Sequence, residues 1–213
     1  MAKSWANRYC RLPKQELFVV QDIIKVKNYS VAELRYEEKV NDIYKYPAES
    51  SKKEFVSGES MMLMGRNCTL LVVDENIRGI KFDGFSFRIS KNNQERAHNL
   101  FVSWYKKYAL SQIEPMAKSF AQRLGVTYNG CSVTDTMKYR WASCTPKGNV
   151  NFNWRIIKAP MFVIEYLIVH ELAHLRVPDH SPEFWNIVSI QVPSYEDAKI
   201  WLKEKGNILE VDF

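Results

Sequence analysis

Three of the chain's four histidines fall within one short run, and their spacing constrains the fold more than any other feature. The run extends from residue 170 to residue 180 and reads His-Glu-Leu-Ala-His-Leu-Arg-Val-Pro-Asp-His. In a helix, His170 and His174 stand one turn apart on the same face, with Glu171 beside them. Two imidazoles at this spacing can hold one metal ion. The spacing therefore predicts a helix that carries a metal site.

A proline inside the run predicts where this helix ends. Pro178 cannot continue the helix, so the chain must turn there, and His180 can return as a third ligand. Three protein ligands leave one position for water, and zinc bound in this way lowers the pKa of that water to about 7. Glu171 is placed to accept the proton. We therefore expect the three histidines to bind zinc and Glu171 to act as the general base.

The segment before the histidine run helps to compare two interpretations of these histidines, a metal site and histidines packed in the core. Residues 162–169 are apolar on nearly every face, as expected of a buried central helix, and Pro160 suits its first turn. Buried histidines need polar partners. A metal ion would satisfy that need, while core histidines with protein partners are the alternative.

Length and composition limit the class of protein. A chain of 213 residues can form one core with a small appended subdomain. No apolar run approaches the roughly 18 to 20 residues of a membrane span, and residues 1–14 contain no apolar signal segment. We therefore expect a cytoplasmic protein that has no membrane partner.

The cysteines form no C-x-x-C pair and are widely spaced, at Cys10, Cys68, Cys131 and Cys144. In a reducing compartment this pattern predicts free thiols instead of a disulfide framework. Cys131 and Cys144 could approach each other across a hairpin. We expect them to be small buried hydrophobic residues.

Positive charge is concentrated just before the histidine run. The formal net charge is +6, and residues 116–160 contain seven basic residues and one acidic residue. The basic residues are Lys118, Arg123, Lys138, Arg140, Lys147, Arg155 and Lys158. Such a stretch could attract nucleic acid or an acidic substrate, or it could be a solvated face.

The first 92 residues are predicted to form a region of strands and one helix. A short strand is predicted within residues 17–28. A surface helix is predicted at residues 31–43, with Ser30 as a possible N-cap, and a linker at residues 47–53. Strand-like stretches interrupted by glycines follow at 60–64, 69–73, 80–82 and 85–89. These four stretches predict a small antiparallel sheet.

Residues 93–213 are predicted to form a second domain that contains the histidine helix. Residues 94–124 have a helical pattern, and Pro115 allows either two helices or one kinked helix, which ends at Gly125. Strands are predicted at 132–137, 138–144 and 149–157, with a turn at 145–148. The histidine helix follows directly. A last helix is predicted from Ser194 to Gly206.

Four segments of this half resemble a known family. They read Arg-Trp-Ala-Ser-Cys-Thr at 140–145, Gly-Asn-Val-Asn-Phe-Asn-Trp-Arg at 148–155, His-Glu-Leu-Ala-His at 170–174 and His-Ser-Pro-Glu-Phe-Trp at 180–185. They are similar to the YgjP-like metallopeptidases, a family of predicted metal-dependent hydrolases related to the SprT and WLM zinc proteases. Weaker similarity extends the resemblance upstream to about residue 50.

The resemblance implies an α+β fold with a zincin-like core: a small antiparallel sheet packed on helices, a central HExxH helix and a smaller N-terminal β/α region. In zincins an edge strand above the metal binds an extended peptide by backbone pairing, and residues 149–154 are the candidate strand. Asn151 and Asn153 would then contact substrate, although alternation could equally direct them at solvent. Tyr195 and Arg140 could each donate a hydrogen bond to the oxyanion, or be structural.

Three functions follow as hypotheses. The leading one is a zinc-dependent endopeptidase that acts on proteins or peptides; Val177 stands where metzincins require glycine, which favours the SprT-like alternative. The second is a hydrolase that acts on nucleic acid or on proteins bound to it, suggested by the basic stretch at 116–160 and the SprT resemblance. The third is a non-catalytic interaction module with a structural zinc, which would normally need a fourth protein ligand.

Overall fold

The computed structural model describes residues 53–137 and 140–210. These residues lie in one compact unit. The strand predicted at 17–28 and the helix predicted at 31–43 lie outside the described residues, as does most of the linker predicted at 47–53. The domain division after residue 92 therefore stays a prediction.

The first sheet is mixed, although its strand pattern predicts an antiparallel one. Its four strands are β1 (Ser60–Leu63), β2 (Arg66–Val73), β3 (Ile80–Phe82) and β4 (Ser86–Ser90), in the order β1-β2-β4-β3. The β1–β2 and β3–β4 pairs are antiparallel, but β2 and β4 are parallel. The antiparallel prediction is wrong for this central pair because the connection at 74–79 takes the chain to the far edge before β4 returns beside β2.

Helix α1 (Ala97–Leu124) packs against this sheet through aromatic rings. The Phe87 ring in β4 lies 5.5 Å from that of Phe101, 5.0 Å from Trp104 and 5.9 Å from Tyr105. The three α1 residues are spaced so that they share one face of the helix. The helical pattern predicted for residues 94–124 is confirmed, with the α-helix beginning at Ala97.

Residues 97–124 form a single helix, although Pro115 left two helices open as an alternative. It runs for 28 residues through the exposed Pro115, after a 3-10 helix at Lys91–Arg96. Gly125 ends it with a left-handed φ of 65°, and its amide donates to the carbonyls of Ala121 and Gln122. Glycine is favoured at the end of a helix because it adopts this left-handed conformation without a steric penalty.

The second sheet has three strands, β5 (Gly130–Thr134), β6 (Ala142–Cys144) and β7 (Asn149–Asn153), in the order β5-β7-β6. Strand β7 is parallel to β5 and antiparallel to β6. The predicted turn between β6 and β7 is confirmed by a 2.8 Å hydrogen bond from the Gly148 amide to the Thr145 carbonyl. The middle strand of this sheet is therefore β7, the last of its three strands in the sequence.

This strand order keeps two cysteines apart. Cys131 in β5 and Cys144 in β6 both pair with Val150, from opposite sides of β7. Two strand spacings separate them by about 9.6 Å, beyond the roughly 7 Å that a disulfide spans between Cα atoms. Both thiols are free and half-buried.

The chain after β7 differs from the predicted strand at 149–157. The strand ends at Asn153, and residues Trp154–Lys158 form a 3-10 helix. The Asn153 side chain accepts a hydrogen bond from the Arg155 amide, which caps this turn. The turn leads into helix α2 (Met161–Ala173), which carries the histidine run.

Helices α3 (Pro182–Gln191) and α4 (Tyr195–Glu210) complete the described chain. The prediction that the last helix stops at Gly206 is wrong, because Gly206 lies buried inside α4. A Cβ added there would lie 3.8 Å from Cζ2 of Trp141, an ordinary van der Waals distance, so Gly206 packs beside this indole. In the described part of the chain, no helix combines the length and apolarity that a membrane crossing requires.

Candidate metal centre

Helix α2 and the turn after it carry the three clustered histidines. The helix is apolar on most faces and largely buried, which fixes its position in the core. His170 lies in its last turn, and His174 is the C-terminal cap residue. His180 lies beyond the turn, two residues before α3 begins.

The Nε2 atoms of the three imidazoles converge. The distance from His170 Nε2 is 3.3 Å to His174 Nε2 and 3.0 Å to His180 Nε2. All three ligand atoms lie within 4.8 Å of one another. Nitrogens bound to one tetrahedral zinc at 2.0–2.1 Å are about 3.3 Å apart. The donor set therefore fits a single ion of this kind.

The opposite ring nitrogens of two histidines face oxygen atoms. His170 Nδ1 lies 3.4 Å from the Tyr166 hydroxyl, and His174 Nδ1 lies 3.4 Å from the Val177 carbonyl oxygen. A proton held on Nδ1 leaves the lone pair of Nε2 for a metal. Burial also lowers the pKa of His170 well below its ordinary value and lowers the pKa of His180, which favours neutral imidazoles.

Aromatic residues of α3 surround the imidazoles. The buried Phe184 ring lies 4.9 Å from that of His170, 4.7 Å from His174 and 4.8 Å from His180. The Trp185 indole stacks on His180 at 5.6 Å and an interplanar angle of 23°. Both rings therefore shape the space around the three nitrogens.

Glu171 is buried next to the ligands, with only 7% of its surface exposed. Burial raises the pKa of this carboxyl to about 8, while the charge of Arg140 and a hydrogen bond from the Cys144 backbone lower it. The carboxyl group therefore lies against β6 and within the field of Arg140.

Comparison with known proteins gives the family. The family model described as "YgjP-like, metallopeptidase domain" matches residues 19–205, which is most of the chain. The chain belongs to the YgjP-like metallopeptidase family. The resemblance inferred from the sequence is thereby confirmed, and the described α+β structure is that of a metal-dependent peptidase.

Two solved structures are similar to the YgjP-like chain. They are crystal structures of metallopeptidase zymogens, abylysin of Pyrococcus abyssi and jannalysin of Methanocaldococcus jannaschii. Abylysin is 21% identical with a TM-score of 0.38, and jannalysin is 18% identical with a TM-score of 0.40. Each match covers 44% of this chain and 96% of the other. A search of curated proteins found no match.

The strand predicted to pair with a peptide is not an edge strand. Strand β7 is paired on both sides, so the prediction for residues 149–154 is wrong. Alternation of apolar and polar residues describes the two faces of a strand but not its place in the sheet. In the described structure of the YgjP-like chain, the edge strand on the Glu171 side is β6.

The pairing of β6 leaves backbone groups directed away from β7. The Trp141 carbonyl accepts from the Asn153 amide, and the Thr145 amide donates to the Asn149 carbonyl. Alternate residues of an antiparallel strand direct their backbone groups to opposite sides. The amides and carbonyls at positions 142 and 144 therefore point outward, and Cys144 supplies the backbone bond to Glu171.

Both asparagines predicted to bind substrate have protein partners. Asn151 Oδ1 accepts from the Ser132 hydroxyl at 2.7 Å. Asn153 is 3% exposed, and its Nδ2 donates to the Met137 carbonyl at 3.0 Å. A substrate-binding role for either residue stays a prediction.

Tyr195 and Arg140 lie close to the site. The Tyr195 ring stacks on Trp185 at 5.5 Å, and a hydrogen bond to the Glu196 carboxylate raises the pKa of the phenol. Arg140 is exposed, and its charge acts on Glu171. Their oxyanion roles stay predictions, whereas the stacking of Tyr195 on Trp185 and the contact of Tyr166 with His170 were not predicted from the sequence. The i, i+4 spacing of Tyr166 and His170 was the available signal for the second.

The basic stretch at 116–160 is not wholly available to a partner. Lys158 is 2% exposed, and its Nζ donates to the Leu209 carbonyl at 3.3 Å. The Arg123 guanidinium lies 4.0 Å from the Phe120 ring centroid. Lys138 lies outside the described residues. Nucleic-acid binding by the YgjP-like chain stays a hypothesis.

Proposed function

We propose that this chain is a zinc-dependent endopeptidase with a zincin-like core and the pattern HExxH-x5-H. The observation that carries the proposal is the convergence of three imidazole Nε2 atoms, two of them 3.0 Å and 3.3 Å from the third. Family membership supplies the reaction class, a metal-dependent peptidase.

The chain's own residues have distinct roles in this proposal. His170, His174 and His180 would hold the ion through Nε2. A zinc ion held by three imidazoles acts as a Lewis acid and lowers the pKa of bound water to about 7. Glu171 would accept a proton from the attacking water and later return it to the leaving amine. A cation held by the three histidines would favour the ionised carboxylate and so oppose the rise in the pKa of Glu171 that burial causes.

The edge of β6 is the best candidate for peptide binding. An extended peptide adds to a sheet by pairing with unpaired backbone groups on an edge strand. The Ala142 amide and carbonyl and the Cys144 carbonyl point outward on this edge, whereas the Cys144 amide already donates to the Glu171 carboxyl. A peptide paired there would lie beside the general base.

The proposal is tested with Glu171→Gln, measured for zinc content by elemental mass spectrometry and for cleavage of unfolded proteins by peptide mass spectrometry. The variant keeps the histidines and loses the base, so we expect about one zinc per chain and cleavage reduced about 10²- to 10⁴-fold. Glu165→Gln is the matched control, because Glu165 is half-buried on the same helix.

Two results would contradict the proposal. One is a wild-type chain that binds no divalent metal. The other is a metal-loaded chain that cleaves none of the substrates, or whose Glu171→Gln variant cleaves them as fast as wild type. Retained zinc without cleavage would instead favour the non-catalytic zinc module.

A further inference from the structure

The third histidine is held differently from the other two. His170 and His174 belong to α2 and its cap, where the helix backbone sets their directions. His180 follows the exposed Pro178 and Asp179 in the turn between α2 and α3. Because the backbone of a turn does not fix the direction of a side chain as a helix does, other contacts must orient His180 toward the two helix ligands.

The surroundings of the His180 ring show what these contacts are. Apart from the other two imidazoles, it contacts Phe184 edge-on at 4.8 Å and 87°, and Trp185 face to face at 5.6 Å and 23°. Stacked aromatic rings at such separations attract each other. The Trp185 indole therefore lies nearly parallel to the His180 imidazole and in contact with it.

The indole is itself held from the last helix. Tyr195 stacks on it at 5.5 Å and 24°, and Lys199 Nζ lies 4.4 Å from its ring centroid. A cation within about 6 Å of an indole face is attracted by the ring quadrupole. Lys199 is also 3.4 Å from Glu196, which limits where its ammonium can lie.

We propose that Trp185 is a positioning residue that orients His180 toward the shared metal site by stacking. The proposal rests on the proposed function, because it assumes that the three histidines bind one ion. Trp185 takes no part in the reaction and acts on metal affinity only through His180. Tyr195 and Lys199 hold the indole in place.

The test is a double-mutant cycle on zinc affinity, measured by competition with a chromophoric chelator. Trp185→Ala, His180→Ala and the double variant are compared with wild type, each checked for native circular dichroism. Loss of a residue that orients a metal ligand weakens binding about 10- to 100-fold. We expect Trp185→Ala to show such a loss and the double variant to bind zinc as His180→Ala does.

Two further variants separate stacking from general packing. Trp185→Phe keeps an aromatic face and is expected to retain most of the affinity, whereas Trp185→Leu is expected to lose it. Leucine also replaces alanine in the cycle if Trp185→Ala does not fold. Trp201→Ala is the matched control, since this half-buried indole of α4 contacts none of the three imidazoles.

The outcomes are distinguishable from failure of the proposed function. If wild type binds no zinc, the proposed function fails. If wild type binds zinc and Trp185→Ala binds equally well, the positioning role fails. It also fails if the tryptophan substitution weakens zinc binding as much in the His180→Ala background as in wild type, because Trp185 would then act through the fold.

Discussion

Single residues near the site join elements that are far apart in the sequence. Asn153 ends β7, caps the following 3-10 helix through the Arg155 amide and donates to the Met137 carbonyl. It is almost completely buried. One amide side chain therefore links the second sheet to the segment that leads into α2.

Replacing Asn153 with alanine should destabilise the fold. The change removes a helix cap and leaves the Met137 carbonyl without this donor, so we expect the free energy of unfolding to fall by about 1–3 kcal/mol. Urea unfolding followed by circular dichroism measures the change. Asn151→Ala is the control, because among the described residues the Asn151 side chain bonds the exposed Ser132. We expect it to lower the free energy of unfolding by less than Asn153→Ala does. Equal losses would contradict this account.

At the scale of elements, the turn between β1 and β2 supports the entry to α2. The Met64 amide donates to the Ile157 carbonyl and the Gly65 amide to the Lys158 carbonyl, each at 2.8 Å. Both turn residues have positive φ, 48° and 75°. The first sheet thereby contacts the segment that precedes the histidine helix.

Gly65→Ala should disturb this contact. The added Cβ would lie 3.0 Å from Pro160 Cα, and the left-handed φ disfavours any side chain. Gly84→Ala is the matched control, because Gly84 has a φ of 100° and nothing within 4 Å of an added Cβ. We expect both variants to have a lower melting temperature than wild type, and the decrease to be clearly larger for Gly65→Ala. Equal melting temperatures would show that the Pro160 contact is unimportant.

Helix α4 makes contact with both ends of the α2 region. Tyr195, at its start, stacks on Trp185 beside the histidines, and the Leu209 carbonyl, near its end, accepts from buried Lys158 before α2. Gly206 packs beside Trp141, which precedes β6. The last helix thus contacts segments on each side of the site, which the pattern of its own sequence did not indicate.

At the scale of the whole molecule, a metal ion would connect α2 to the turn before α3. A ligand that binds only the folded state stabilises it, by about 2.7 kcal/mol when its concentration is a hundred times the dissociation constant. We therefore expect removal of zinc by a chelator to lower the melting temperature, and added zinc to restore it. Differential scanning calorimetry measures both shifts.

His170→Ala is the control for this metal effect. His170 Nε2 is the atom to which both other ligand nitrogens lie close, so its loss should abolish the response to chelator and to zinc. If wild type melts at the same temperature with and without zinc, the ion does not connect these elements. A response that persists in His170→Ala would indicate zinc binding elsewhere.

The sequence by itself determined the local features of this protein. Helical periodicity places His170 and His174 on one face, and Pro178 prevents the helix from continuing to His180, because each depends only on neighbours along the chain. The helix itself ends earlier than the proline, at Ala173. The family motifs and the left-handed cap at Gly125 are local in the same sense. The strands of the first sheet were located to within a few residues for this reason.

Only the tertiary structure decided which elements are neighbours. The middle position of β7, the parallel β2–β4 pair and the outward groups of β6 follow from strand order, which depends on contacts between residues far apart in sequence. The stacking of Tyr195 on Trp185 likewise requires α4 to pack beside α3. Local periodicity indicates which face of an element is buried but not which other element covers that face. Strand order and the packing of α4 beside α3 are therefore known only from the tertiary structure.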